Sequence, residues 1–396
     1  MPTKIDVAFL ARLLADAHPP VDLNLLAANE WDELMRAAKA EGVGPLIYWN
    51  LSRSGAIASI PAVQRNRLRE MYFDTWAQNQ KVFADLKTLA EKFSRAGIPA
   101  VILKGACYSL TIYPDAGLRP MADLDLLIPN DRFGEAIRLA QNLGYEEEVE
   151  ALSGLRDLLN HEVCLRKKDR SSVPLELHHR LLGNEAFRFS VPVDWFWSQT
   201  EPMSHALQTL YPGLQMLTPT AQLLFASAHA MLQHGGKKTP LRWYYDIDQL
   251  IRFYGVQIDW DVLLSRSKTF EWSSALEVAL SKSSDLFGTP LPASAVRTLS
   301  ARTDANRILV EANLQKAETH TLEELRKMQA LNIAGKMGLL LSLLFPQPTY
   351  MYRRYQFRSP GLLPAYYLIR WWGILVDLLI TMLSITTRGL HIRSDT

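Results

Sequence analysis

The strongest structural signal in this 396-residue chain is Ala122–Ile128 (ADLDLLI), in which aspartate and leucine alternate. Side chains alternate between the two faces of a strand, so a strand here places Asp123 and Asp125 on one face and Leu124 and Leu126 on the other. Two neighbouring carboxylates repel each other unless a cation lies between them. The leucines would anchor the strand in a core while the carboxylates bind a metal ion. Because a D-x-D on a strand is common in proteins, the surrounding elements decide how this one is interpreted.

Short elements on both sides of this strand predict a small mixed α/β unit. Before it, a helix that stops at Gly97 leads into Pro99–Leu103 (PAVIL), whose β-branched centre is typical of a buried strand. The segment Lys104–Ala106 would then leave that strand as a loop. After the D-x-D strand, Asp131 is a candidate cap for a helix that ends at Gly144. The order is therefore strand, glycine loop, strand and helix.

A third carboxylate comes from a predicted hairpin. The segments His161–Arg166 and Val173–His178 are strand candidates joined by the polar turn KKDRSS. Alternation along the second strand buries its two leucines and turns Glu176 to the opposite face. If this strand lies beside ADLDLLI, Glu176 joins Asp123 and Asp125.

Three carboxylates on neighbouring strands predict a site for Mg²⁺ or Mn²⁺. Magnesium prefers oxygen ligands and usually keeps some waters and substrate phosphate oxygens. Two such ions ~3.5–4 Å apart activate an attacking oxygen and stabilise a leaving pyrophosphate. The third carboxylate, Glu176, is also a candidate general base. The pattern therefore favours phosphoryl transfer.

Helical patterns flank the α/β unit on both sides. We expect an N-terminal helical region over 1–78, the α/β core over 79–217, a substrate-side helical region over 218–292 and a C-terminal helical extension over 293–396. A basic turn at 235–238 is a candidate to close over a bound phosphate. The predicted fold class is α+β, a small mixed-sheet core between helical regions.

The composition excludes several classes of protein. Hydrophobic residues make up 48% of the chain, charged residues 21%, and the formal net charge is +2. A disordered chain and a dedicated nucleic-acid binder are therefore not expected. The two cysteines, Cys107 and Cys164, exclude a disulfide scaffold and fit a reducing compartment. Charges interrupt the N-terminal apolar residues, as they do not in a signal peptide, so a cytoplasmic location is expected.

The segment 350–390 differs in character from the rest of the chain. Arginines interleave with tyrosine and phenylalanine, and an apolar run interrupted by Arg370 and Asp377 follows. Trp371, Trp372 and the flanking arginines suit a membrane interface. Three alternatives stay open: docking on the protein's own core or a partner, peripheral membrane contact, and membrane spanning.

Several ordered motifs resemble a known family. The run 103–145 (LKGACYSLTIYPDAGLRPMADLDLLIPNDRFGEAIRLAQNLGY) resembles the polymerase-beta-like nucleotidyltransferase superfamily. More narrowly, it is similar to an uncharacterised bacterial branch with the pattern L-K-G, then R, then D-h-D-h-L-(V/I). The runs 173–181 (VPLELHHRL) and 229–250 (HAMLQHGGKKTPLRWYYDIDQL) resemble that branch's h-x-h-E-L-H-x-x-L strand and its helical L-R-W-x-x-D motif. The resemblance covers about residues 20–292.

This resemblance implies a set of site residues. Asp123 and Asp125 match the two metal-binding carboxylates, Glu176 matches the third, and Gly105 matches the glycine that begins the nucleotide-phosphate loop. It also implies a nucleotidyltransferase core over 79–217. Members of the superfamily transfer a nucleoside monophosphate from a nucleoside triphosphate, here expected to be ATP, to an acceptor and release pyrophosphate. The acceptor stays unidentified.

One departure keeps a second hypothesis open. The superfamily usually has Ser or a second Gly where Ala106 follows Gly105, so the hydroxyl that would touch the triphosphate is missing. The alternative is a non-catalytic nucleotide-binding or scaffold protein that retains the fold. Lys104 either neutralises triphosphate charge or is a solvated lysine at a strand end. Arg119 either holds phosphate or pairs with Asp123.

Other polar residues also carry two interpretations. His178 either helps to position the substrate or forms hydrogen bonds within the sheet. Arg242 and Asp246, four residues apart on a helix, either line the cleft or pair with each other. The spacing of His161, Cys164 and His178 matches no usual structural zinc pattern.

Overall fold

A computed structural model describes the following residues of the protein: 5–15, 23, 26–148, 161–182, 193–233, 239–300, 336–337, 340–341, 344–355 and 359–376. The basic turn at 235–238 lies outside these residues, as does the predicted tail beyond residue 376.

A run of helices precedes the sheet: α1 (Val7–Ala15), α2 (Ala28–Ala40), α3 (Gly44–Arg53) and α4 (Ala62–Arg95). The 34-residue α4 buries a stripe of apolar side chains that includes Val82, Leu86 and Phe93. It ends just before Gly97, which has a left-handed φ of 63°, so the predicted helix stop is confirmed. Residue 78 lies inside α4, and the predicted four-region division stays a prediction.

The strands of the described chain form one mixed seven-stranded sheet in the order β3-β4-β5-β2-β1-β7-β6. Their bounds are β1 (Ala100–Ile102), β2 (Leu124–Leu127), β3 (Tyr145–Glu147), β4 (Glu162–Lys167), β5 (Leu175–His178), β6 (Thr200–Pro202) and β7 (Leu214–Leu217). Strand β2 pairs antiparallel with β1 and parallel with β5. The mixed sheet among helices confirms the predicted fold class.

The predicted hairpin is confirmed, because β4 and β5 pair antiparallel across their turn. The D-x-D strand is shorter than predicted, and Asp123 lies just before it. All four residues of β2 are buried, including Asp125. The outer strands β3, β6 and β7 were not predicted. Strand β7 pairs with β1 on the side away from β2, so the sheet extends beyond the strands that the local motifs predicted.

Two local predictions are wrong. The segment Lys104–Ala106 is not a loop, because helix α5 (Lys104–Thr111) begins directly after β1. Asp131 does not cap the next helix. It lies in a 3₁₀ turn, and α6 (Phe133–Asn142) takes Arg132 as its N-cap residue. The 3₁₀ turn moves the start of α6 one residue beyond the position that the sequence pattern favoured.

Further helices follow the hairpin: α7 (Val193–Ser198), α8 (His205–Leu210), α9 (Pro219–Ala228), α10 (Leu241–Tyr254), α11 (Trp260–Thr269), α12 (Ser273–Phe287), α13 (Ala293–Ser300), α14 (Pro348–Tyr355) and α15 (363–376). Helix α9 continues as a π-helical turn over His229–Gln233, a rare geometry that is frequent at functional sites. Among the described residues, no helix has the length and apolar character needed to cross a membrane.

Candidate active site

The register of the central strands brings two carboxylates side by side. Strand β2 lies parallel to β5 so that Asp125 is the direct partner of Glu176. The leucines on either side of both residues are buried and anchor the two strands in the core. The expectation that the Glu176 strand lies beside ADLDLLI is thus confirmed by the sheet.

Three more residues join these two and form what we call the acidic cluster: Asp125, His161, Glu162, Glu176 and His178. Nε2 of His178 lies 2.8 Å from Oδ1 of Asp125 and 3.8 Å from Oε2 of Glu176. On the other side of the ring, Nδ1 lies 3.2 Å from Oε2 of Glu162, which is 2.9 Å from Nε2 of His161. His178 thus stands between two groups of potential metal ligands, one of which includes Asp125 and Glu176 and the other Glu162 and His161.

Lys104 neutralises the buried end of the acidic cluster. Its Nζ lies 2.7 Å from Oδ1 of Asp125 and 3.4 Å from Nε2 of His229. Burial lowers the pKa of Lys104, but Asp125 and Asp123 together raise it above its usual value, so the ammonium stays charged. The backbone φ of Lys104 is 44°, a left-handed conformation that is strained for a residue with a side chain and is found mainly at functional sites.

The carboxylates of the site do not share the same charge state. The neighbouring Asp125 and partial burial raise the pKa of Asp123 to about 6. Burial, followed by the charges of Glu162 and Asp125, raises the pKa of Glu176 to about 9. Burial also opposes ionisation of Asp125, but Lys104 and His178 outweigh it and hold its pKa well below its usual range. The site therefore concentrates more negative charge than its own cations neutralise.

A cleft lined by several basic side chains opens next to the acidic cluster and holds about 470 Å³ of space, its solvent-open mouth included. We call it the basic cleft, and its lining residues are Lys104, Gly105, Tyr108, Arg119, Asp123, Ala226, His229, Arg242, Trp243 and Asp246. Lys104 belongs to the cleft and also contacts the acidic cluster, while Asp123 lies in the cleft wall. The two regions therefore form one continuous site.

Arg119 is held rigidly in the cleft wall. Its Nη2 donates to Oδ2 of Asp246 at 2.7 Å, and its Nε lies within 3.3 Å of both carboxylate oxygens. Tyr113 donates its hydroxyl to Oδ1 of Asp246 at 2.7 Å. A Cβ on Gly105 would lie 2.3 Å from Nη1 of Arg119, so only glycine lets the guanidinium lie against α5. From α4, Asn79 donates to the backbone oxygen of Arg119 at 2.8 Å and fixes its loop.

The N-terminal helical region positions the second arginine of the cleft. Glu41 accepts a hydrogen bond from the backbone N–H of Leu241 at 2.6 Å, at the start of α10. A Cβ on Gly42 would lie 2.6 Å from Nη1 of Arg242, so this side chain also packs against a glycine. Nε of Arg242 is buried and has no hydrogen-bond partner among the described residues. Its guanidinium therefore keeps donor capacity inside the cleft.

The structure brings all the sequence-predicted site residues to one place. Asp125 and Glu176 lie in the acidic cluster, whereas the others line the basic cleft, namely Asp123, Lys104, Gly105 and Arg119. Asp123 belongs to neither of the two compact groups of potential ligands. Arg119 forms its ion pair with Asp246 and not with Asp123. Asp246 is therefore paired with Arg119 and not with Arg242, its neighbour four residues earlier on α10.

Glu162, and the contacts of Tyr113 and Arg119 with Asp246, were not predicted from the sequence. Glu162 lies directly opposite His178 in the β4–β5 register. A carboxylate at the second position of the predicted strand His161–Arg166, opposite a histidine of the next strand, was the signal that could have found it. No local signal connects Tyr113 or Arg119 with Asp246, since these residues are more than 120 positions apart.

Comparison with known proteins assigns the chain to a family. Residues 27–288 match the family described as uncharacterised nucleotidyltransferase, and the protein belongs to this family. It is also similar to a solved structure described as an antigenic nucleotidyltransferase-like protein from Paracoccidioides brasiliensis. That match has 17% sequence identity and a TM-score of 0.31, and it covers 57% of this chain and 95% of the other. No curated protein matches the chain. A structural likeness this remote leaves the site to be judged on its own residues.

Proposed function

We propose that this protein transfers a nucleoside monophosphate from a nucleoside triphosphate, with ATP the expected donor, to an acceptor hydroxyl in a reaction that requires Mg²⁺ or Mn²⁺. The observation that carries the proposal is the direct junction of the acidic cluster with the basic cleft, through Lys104 and Asp123. Family membership supports the class of reaction. As in the superfamily that the sequence motifs resemble, the carboxylates would face the metal and the arginines the phosphates.

The residues of the acidic cluster fit a divalent cation. Asp125, Glu176 and His178 each offer one ligand atom, and these atoms lie within 4.8 Å of one another. Burial first, and the charges of Glu162 and Asp125 second, raise the pKa of Glu176, while the charge of Asp125 is the main cause of the raised pKa of Asp123. A bound cation would favour the ionised form of both carboxylates. Carboxylate oxygens are the ligands that Mg²⁺ and Mn²⁺ prefer. When bound, such an ion polarises phosphate oxygens and offsets the charge that develops on the leaving pyrophosphate.

The basic cleft supplies what a triphosphate needs. Arg119 presents a guanidinium fixed by Asp246, and Arg242 presents one whose Nε has no hydrogen-bond partner among the described residues. Guanidinium groups bind phosphate oxygens in bidentate geometry. The first turn of α5 carries Gly105 and Ala106, where backbone N–H groups favour an anion. These N–H groups replace the hydroxyl that is missing at Ala106.

The chemical step follows from this placement. The acceptor hydroxyl oxygen attacks the α-phosphorus, a new P–O bond forms, and the bond from the α-phosphorus to the bridging oxygen breaks, so that pyrophosphate leaves. The hydroxyl proton passes to a carboxylate, for which Glu176 is the candidate base. Lys104, Arg119 and Arg242 hold the triphosphate in line for this attack.

Incubation with α-labelled nucleoside triphosphates tests the proposal. The full-length protein is supplied with Mg²⁺ and each triphosphate in turn, alone and with cell extract, and pyrophosphate and labelled product are measured. We expect product that depends on both the metal and the protein, and none with Asp125→Asn. Binding of a triphosphate without any turnover would favour the alternative, a non-catalytic nucleotide-binding or scaffold protein. If no triphosphate binds, both the transferase proposal and the nucleotide-binding alternative are wrong.

For the C-terminal helix α15 we propose peripheral contact with a lipid surface. Leu368, Ile369, Trp372 and Leu375 form one exposed stripe, and Trp372 is 68% exposed. Aromatic side chains with nearby arginines suit the interface of a bilayer. Flotation with anionic liposomes tests this, since a Leu368→Ser/Trp372→Ser variant should lose the membrane-bound fraction. Equal flotation of both proteins would reject the proposal.

A further inference from the structure

The imidazole of His178 has contacts on both of its nitrogens, and they differ in kind. Nε2 meets Oδ1 of Asp125 at 2.8 Å in hydrogen-bond geometry. Nδ1 lies 3.2 Å from Oε2 of Glu162, yet it makes no hydrogen bond with any described residue. His178 is only 1% exposed, so water does not readily satisfy this nitrogen. Nδ1 of His178 is thus buried and close to the carboxylate of Glu162, but the geometry does not allow a hydrogen bond between them.

His161 completes the arrangement around this nitrogen. Its Nε2 lies 2.9 Å from Oε2 of Glu162, and one ligand atom from each of His161, Glu162 and His178 lies within 4.8 Å of the other two. Ligand atoms ~2.0–2.2 Å from a tetrahedral ion are themselves about 3.3–3.6 Å apart. Nδ1 of His178 and Nε2 of His161 lie 3.2 Å and 2.9 Å from Oε2 of Glu162, so these two contacts are near that spacing. The side chains of His161 and Glu162 are 14% and 25% exposed, so an ion reaches this group from solvent.

We propose that His161 Nε2, Glu162 Oε2 and His178 Nδ1 form a second cation site, which takes Zn²⁺ or a similar transition-metal ion. Two imidazoles and one carboxylate suit zinc or iron, whereas the oxygen-rich group around Asp125 suits Mg²⁺. The two groups share only the ring of His178, which would bind the second ion through Nδ1 and keep its proton on Nε2, so that Asp125 and Glu176 are left as the ligands of the first site. The proposal does not depend on nucleotidyl transfer, because it rests on the three ligands alone.

The second ion has a structural consequence for the first site. It would fix both the tautomer and the orientation of His178, since a ring nitrogen bound to a metal leaves the other to donate its proton. That proton then points from Nε2 to Asp125, the carboxylate at the centre of the acidic cluster. The ion would also tie the start of β4 to the end of β5, where Glu162 and His178 are register partners.

Zinc binding to the full-length protein tests this site. The protein is stripped with EDTA, dialysed into excess Mg²⁺ and titrated with Zn²⁺ by calorimetry. We expect one zinc per chain. His161→Ala should weaken zinc binding by more than about 100-fold, which exceeds the 10–100-fold cost of losing an outer-sphere partner. His205→Ala, which removes an exposed histidine on α8, is the matched control and should bind as wild type.

Two further measurements keep the result interpretable. Glu176→Gln removes a ligand of the Asp125 group and none of the three proposed zinc ligands, so zinc affinity should stay within about threefold of wild type. If Glu176→Gln weakens zinc binding while His161→Ala does not, the ion occupies the Asp125 group and the proposal is wrong. Anomalous diffraction at the zinc edge from crystals of the wild-type protein should place a peak within bonding distance of His161. A peak elsewhere, or no zinc binding, also overturns it, and neither result bears on pyrophosphate release.

Discussion

The acidic cluster and the basic cleft adjoin each other but are assembled in different ways. The ligands of the cluster come from β2, the start of the hairpin and β5, and strand register fixes their positions. The residues of the cleft come from α5, the loop before β2, the π-helical turn and α10, and buried side-chain contacts fix them. The positions of the proposed metal ligands therefore follow from strand register, whereas those of the proposed phosphate-binding residues depend on tertiary packing.

The largest expected effect is on turnover, and it belongs to the acidic cluster. Asp125→Asn keeps the size and a hydrogen-bonding oxygen of the side chain but removes its charge. We expect kcat to fall by more than about 10³-fold, at the upper end of what loss of one electrostatic group costs an enzyme. Steady-state pyrophosphate release measures this. A variant that keeps more than a tenth of wild-type kcat would contradict the assignment of Asp125 to the metal.

The next largest effect is on stability, and it belongs to the basic cleft. Asp246→Ala leaves the guanidinium of Arg119, itself 5% exposed, buried without its carboxylate. We expect the free energy of unfolding to fall by about 3–5 kcal/mol, as for other broken buried ion pairs. Asp32→Ala is the control. Its pair with Arg67 is exposed, so less than about 1 kcal/mol should be lost. Equal losses in urea denaturation would show that Arg119 is not held by Asp246.

Replacing glycine by alanine at two helical positions, Gly105 and Gly134, distinguishes the effect of packing in the basic cleft from the effect of helix propensity. In Gly105→Ala the new Cβ would lie 2.3 Å from Nη1 of Arg119, so the guanidinium must move. We expect a loss of about 1–3 kcal/mol in unfolding free energy, typical of overpacking, and a raised KM for the triphosphate. Gly134→Ala on α6 meets only Arg138 at 3.8 Å and should gain about 0.5–1 kcal/mol. Stabilisation by both substitutions would refute the close approach of Arg119.

A smaller effect, on binding of the triphosphate, distinguishes Arg242 from Arg119. Nε of Arg242 has no hydrogen-bond partner among the described residues, so Arg242→Met breaks no hydrogen bond there. We expect KM for the triphosphate to rise about tenfold, equivalent to about 1.4 kcal/mol, with kcat little changed. Stability should be unchanged or higher, because an unsatisfied buried donor is removed. A fall in kcat with constant KM would move Arg242 from ground-state binding to the chemical step.

The smallest expected effect is the number of protons released when Mg²⁺ binds. Glu176, with its pKa raised to about 9, holds a proton at pH 7.5 in the metal-free protein, and a cation binds only the ionised form. Mg²⁺ binding should therefore release about one proton at pH 7.5. At pH 6 the release should be larger, because Asp123 has a pKa of about 6. Calorimetry in buffers of different ionisation enthalpy measures this. Glu176→Gln should lose most of the release at pH 7.5, and unchanged release would assign the proton elsewhere.

The sequence predicted the pairing of Asp125 with Glu176, because it follows from two neighbouring strands, but it did not predict that Glu162 and His161 complete the acidic cluster. The D-x-D strand, the hairpin and the approach of Glu176 to Asp125 are confirmed by the sheet. The same local rules failed at Lys104 and Asp131, where each helix begins at a position that the pattern did not indicate. Lys104 adopts a left-handed backbone that its residue type does not suggest.

The basic cleft was only partly predictable. The sequence named Arg119 and Arg242 as candidates, but of the two alternatives for Arg119 the pairing with Asp123 is replaced by the pairing with Asp246, and phosphate binding stays a prediction. The contact with Asp246 spans 127 positions and depends on how α10 lies against the loop that carries Arg119. The docking of Glu41 against the start of α10 spans 200 positions, and no local pattern indicates it. Long-range side-chain contacts of this kind are set by the whole core rather than by spacing along the chain.

A crystal structure with Mn²⁺ and a non-hydrolysable ATP analogue would show whether the acidic cluster and the basic cleft act as one site. We expect an anomalous manganese peak within bonding distance of Asp125 and Glu176, with Lys104 turned from Asp125 towards the phosphates. It also predicts phosphate oxygens within hydrogen-bond distance of Arg119 and Arg242. Manganese away from these carboxylates, or a nucleotide bound outside the basic cleft, would contradict the account.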